Sequence, residues 1–72
     1  MPTTTQIIKV LEWAGFEAKI QDMPGFARHN CITLRRDGKY HGFIYQQVGH
    51  VNMTQTRGGI ALEVQDLIRS VS

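Results

Sequence analysis

Cysteine is nearly missing from this chain: Cys31 is alone among 72 residues. An internal disulfide framework is therefore excluded, and stability must come from packing or self-association. A lone thiol also suits a reducing compartment, so a cytoplasmic setting is expected. Long apolar runs are missing too, and Met1-Pro2-Thr3-Thr4-Thr5 carries no basic region ahead of an apolar stretch. Neither a membrane helix nor a signal peptide is expected. Charge of one sign is scarce: eight Lys and Arg against six Asp and Glu leave a net charge of +2. Nucleic-acid binding normally shows a stripe of basic residues, and this excess is too small to diagnose it. Internal repeats and low-complexity tracts are absent.

What is present reads as one small globular domain over residues 1–72, with 42% apolar and 19% charged residues. At this length a single core is barely sufficient. The strongest local signal is Asp37-Gly38, set between the β-rich runs Asn30 to Arg35 and Lys39 to Gln47. Ahead of it, Thr3-Thr4-Thr5-Gln6 has the spacing of a capping box, with Pro2 placed to staple against Ile7. Ile7, Val10, Leu11 and Ala14 then recur at helical spacing, with Ile8 and Trp13 flanking the stripe. Gly15 is placed to end this helix, and Phe16 to fold back on Leu11.

Phe16 to Gln21 alternates strictly and predicts a half-buried strand. Met23-Pro24-Gly25-Phe26 suits a type II turn inside a loop from Asp22 to Arg28. His50 to Met53 allows a short extra strand. Thr56 is a candidate N-cap for a closing helix whose apolar face is Ile60, Val64, Leu67, Ile68 and Val71. The expected fold is α+β, ordered α-β-β-β-α with a possible short fourth strand. Both helices would cover one face of an antiparallel sheet.

Two turns fit Arg35-Arg36-Asp37-Gly38-Lys39. A two-residue type I′ loop pairs Arg36 with Lys39 and places Ile32, Leu34, His41, Phe43 and Tyr45 on one face. A three-residue loop with Gly38 as a bulge residue pairs Arg35 with Lys39. Ile32, Leu34, Tyr40, Gly42 and Ile44 then share the core face, and His29, Cys31, Thr33, His41, Phe43 and Tyr45 the other. The three-residue loop is favoured, because it segregates the aliphatic residues and avoids facing Arg36 against Lys39. It predicts a row of His41, Phe43 and Tyr45 on the helix-free face, and such a row is seldom left bare.

That row, with Arg35 beside it, is the candidate partner-binding surface, since Tyr, Phe and Arg are residues of interface anchors. The alternative is RNA: Arg28, Arg35, Arg36 and Lys39 on phosphate, aromatics stacking bases, and His29 as a base for cleavage. His29, Cys31, His41 and His50 match no familiar zinc spacing, so no metal or other cofactor is expected. Catalysis by Cys31 would need an orienting group and an oxyanion donor that cannot be named. Arg57-Gly58-Gly59 could offer backbone N–H groups to a phosphate, but without a preceding strand and a Lys-Ser/Thr it is no P-loop.

Leu11-Glu12-Trp13-Ala14-Gly15-Phe16 at the end of the first helix, His29 before the second strand, Asp37-Gly38 at the hairpin and Gly59 before a final Leu/Ile helix together resemble a known layout. It is that of the double-stranded RNA-binding domain and of the HicA-type toxins built on it. The resemblance implies RNA binding or cleavage, with a histidine in a Gly-Ser-His-His-like motif; the matching region here reads Gly25-Phe26-Ala27-Arg28-His29-Asn30. The leading expectation is a non-enzymatic binding module for a protein partner or a second copy of itself. Its size suits the inhibitors and adaptors that phages and mobile elements encode.

Overall fold

A computed structural model describes residues 2–21, 30–47, 50–52, 56–57 and 59–72. The first helix, α1, spans Thr4–Trp13, and its own sequence sets both ends. The Thr3 hydroxyl accepts from the Gln6 N–H at 3.1 Å while the Gln6 side chain accepts from the Thr3 N–H at 2.8 Å. Two N–H groups with no partner inside the helix are thereby satisfied. At the other end Gly15 takes a φ of +91°. The Gly15 N–H donates to the Glu12 carbonyl and the Phe16 N–H to the Leu11 carbonyl, each at 3.0 Å. This is the Schellman pattern. Phe16 and Leu11 are both buried in the same core cluster, as the motif requires.

The chain continues through β1 (Glu17–Ile20), β2 (Asn30–Arg36), β3 (Lys39–Gln47), β4 (His50–Asn52) and the helix α2 (Ala61–Ser70). The strands lie in sequence order, β1-β2-β3-β4, and every neighbouring pair is antiparallel. The α+β fold is as expected, with the short fourth strand present. Ile7 and Leu11 of α1, Val64 and Ile68 of α2, and Ala18, Ile32, Leu34 and Ile44 of the sheet form one core. Both helices thus cover the same face. Burying a side chain such as Leu11 or Ile32 contributes roughly 1.5–3 kcal/mol relative to leaving it in water. The polar edge of this layer is tied by Gln46, which donates to the Pro2 carbonyl and accepts from the Thr4 hydroxyl, both at 2.9 Å.

The hairpin corrects the favoured turn. Arg36 pairs with Lys39 across Asp37 and Gly38, whose φ values of 54° and 78° are those of a type I′ turn. The like-charge contact that argued against this turn is removed because the Arg36 side chain pairs with Glu63. The register then shifts: Arg35 faces Tyr40, but Thr33 faces Phe43 and Ile32 faces Ile44. His41 and Gly42 together oppose Leu34, a β-bulge made possible by Gly42 at φ +93°. Ile32, Leu34 and Ile44 therefore share the core face although the turn is the tight one.

Helix α2 lacks the cap assigned to it. Its N-cap is Ile60, with no side-chain hydrogen bond. Thr56 instead forms an isolated bridge with Gly42, and the neighbouring Arg57 N–H donates to the His41 carbonyl at 2.6 Å. The expected turn at Met23-Pro24-Gly25-Phe26 lies outside the described residues.

Candidate functional site

The bulge splits the expected aromatic row. Phe43 and Tyr45 lie on the helix-free face, opposite Thr33 and Cys31, with ring centroids 6.4 Å apart. His41, the first of the two bulge residues, turns to the helical side and meets the Phe16 ring edge-on at 6.3 Å. Phe43 is 9% exposed, and Cys31 and Thr33 beside it are buried. His41, Phe43 and Tyr45 are therefore not one open surface. Tyr40, expected in the core, faces outward opposite Arg35 and is 43% exposed. Its displacement has the same cause: only the residues after Gly42 recover the facing that the longer loop would have given, paired two residues further along.

The basic residues of the hairpin separate in the same way. The Arg36 guanidinium lies 4.2 Å from the Phe16 ring centroid and grips Glu63 with two bonds of 2.8 Å. Stacking on an aromatic face and bidentate carboxylate pairing are the two contacts that distinguish Arg from Lys. The Arg36 bonds hold the Glu63 carboxyl below the usual carboxylate range, against a smaller opposing effect of burial, and the charges of Arg36 and His41 add to the lowering. Arg36 joins sheet, α1–β1 junction and α2; it is not a free phosphate ligand. Arg35 points to the other face and donates to the Gly38 carbonyl at 3.2 Å. Lys39 is exposed across from Arg36. Among the described residues, Arg35, Arg36 and Lys39 do not form a shared cradle for an anion.

Cys31 is 1% exposed and on the opposite face from His41, so these two residues of the weighed zinc set do not converge on one ion. Arg28 and His29 lie outside the described residues, as do Gly58 and the His50 side chain. The Arg57 N–H considered for phosphate is already given to His41.

The feature that sequence reasoning passed over is on the helical layer. Trp13 ends α1 with 83% of its surface exposed. It borders a groove of about 500 Å³ between the helices, lined by Val10, Trp13, Glu63, Asp66, Leu67 and Ser70. Val10 and Leu67 are partly buried against the core and supply an apolar floor. Glu63 and Asp66 stand on the groove's α2 side. Glu63 is neutralised by Arg36, whereas Asp66 has a 3.7 Å contact with Arg69 between side chains that are both well exposed. The signal for this site was Trp13 beside, rather than within, the apolar stripe of α1: an indole there has a large apolar surface and no core to enter. No helix among the described residues is long and apolar enough to cross a membrane. Compared with family models, curated proteins and solved structures, the chain matches none.

Proposed function

We propose that this chain is a non-enzymatic protein-binding module that docks a basic amphipathic helix of its partner in the α1–α2 groove. The observation that carries the reading is the exposed Trp13 at the rim of an apolar floor. An exposed indole costs hydration without helping the fold, and Trp is the residue most enriched among interface anchors. Asp66, on the α2 side of the groove, selects the partner's charge. An apolar ridge would fill the space over Val10 and Leu67, and Lys or Arg on its flank would meet Asp66.

Trp13 is the only tryptophan, so its fluorescence reports the site directly. Titration with a Leu/Lys amphipathic peptide should give a saturable blue shift, and a Leu/Glu peptide of the same pattern should give none. Leu67→Glu should abolish the response. No saturable change with the basic peptide, or an equal change with the acidic one, would count against the reading.

A further inference from the structure

The outer edge of β1 has a sequence that complements itself. The strand reads Glu17-Ala18-Lys19-Ile20, and it is the end strand of the sheet, with β2 on its inner side. Among the described residues nothing pairs with its outer side. The hydrogen-bond phase along β1 is set by Gln21, whose N–H donates to the Cys31 carbonyl at 2.9 Å. In the observed register Gln21 continues the pairs Lys19 with Thr33 and Glu17 with Arg35. Residues 17, 19 and 21 therefore direct their backbone groups inward to β2, and Ala18 and Ile20 direct theirs outward. Ile20 is also 58% exposed, a large apolar side chain at an edge that no described residue pairs.

From this edge we infer that a second copy of the chain adds antiparallel to β1 about a two-fold axis at Ala18, joining the two sheets into one of eight strands. Centring on Ala18 makes that residue a hydrogen-bonded pair with its own copy, each N–H donating to the other's carbonyl. The Ile20 N–H then reaches toward the partner's Phe16 carbonyl. Glu17 of one copy falls opposite Lys19 of the other, twice, in the non-hydrogen-bonded positions where side chains come closest. Centring on residue 17 or 19 instead would set Glu against Glu or Lys against Lys. Charged residues on an edge strand ordinarily deter pairing; here opposite signs two residues apart deter other strands and admit an antiparallel copy. A four-residue ribbon buries less than the roughly 1,200 Å² of a standard stable interface, so the association is a weak and concentration-dependent one.

The test uses two single variants and their mixture in sedimentation velocity. Wild type should shift from monomer to dimer as concentration rises. Glu17→Lys and Lys19→Glu should each weaken self-association about tenfold, since two attractive cross-strand pairs become repulsive. Mixed in equal amounts, the two variants should recover a dimer, because each Lys pair then meets a Glu pair. Amide exchange of the wild type gives a readout that no substitution can disturb: protection at Ala18 and Ile20 should rise with concentration while that at Lys19 stays constant. A wild type that remains monomeric into the millimolar range overturns the inference, as does a mixture no heavier than its components. Neither result bears on the Trp13 groove, which the β1 variants leave intact.

Discussion

The two helices are the same length and share one core, yet they are specified in different ways. Helix α1 closes both its ends with its neighbouring residues, Thr3 with Gln6 at the start and Gly15 with Phe16 at the finish. Helix α2 has no side-chain cap at Ile60. What steadies its first turn is Glu63, which reaches out to Arg36 on the sheet. A negative side chain there also suits the positive end of the helix dipole. The lesson is that α1 is encoded locally and α2 is held in tertiary contact, so damage to one should read out differently from damage to the other.

Gly15→Ala should give the largest loss that spares the core side chains. A Cβ there would meet only the Arg36 Cδ, at an ordinary 3.8 Å, so crowding is not the cost. The cost is a φ of +91°, which L residues avoid, and it should amount to about 1–2 kcal/mol. Urea unfolding would show it as a lower midpoint with an unchanged slope. A loss under half that size would mean the helix can end without the Schellman turn. Thr3→Ala should cost less, about 1 kcal/mol, by freeing the Gln6 N–H. Amide exchange should place its effect in the first turn of α1, with α2 unmoved at the same conditions. Equal loosening of both helices would erase the contrast between them.

The same contrast explains which parts of the fold could be read from sequence. In α1 and β1, what depends on residues within one turn of each other was legible: the Thr3–Gln6 box, the Gly15–Phe16 stop, and the alternation that places Ala18 inside. The hairpin's faces were legible only in outline. Ile32, Leu34 and Ile44 had to share a side, and two devices can bring that about, a longer loop or a later bulge. The choice was made by Arg36. Its pairing with Glu63, 27 residues away, removes the repulsion that a tight turn would otherwise set up with Lys39, and no local pattern announces so distant a partner. The candidate site followed the same error, because His41 and Phe43 fall on opposite faces once Gly42 is the bulge. Trp13 was visible as a residue beside the stripe. Its exposure depends on how α2 packs beside α1, which is a tertiary fact.

The smallest expected effect tests the tertiary half of the comparison most directly. The folded state holds the Glu63 carboxyl below the usual carboxylate range, chiefly through its bonds from Arg36. A depressed carboxyl contributes stability above its unfolded pKa and loses it as pH falls through the folded one. Acidification across that interval should therefore loosen α2 ahead of α1. The pair is partly open to solvent, with 44% of the Glu63 side chain exposed, so screening keeps the effect modest and added salt should shrink it. The informative quantity is the difference between wild type and Glu63→Gln in α2 amide protection as a function of pH. That difference should be present near neutrality and vanish at low pH, and Arg36→Met should abolish it at every pH. If the two proteins instead show parallel pH profiles, the pair does not hold the start of α2, and burial of Val64 and Ile68 alone must account for it.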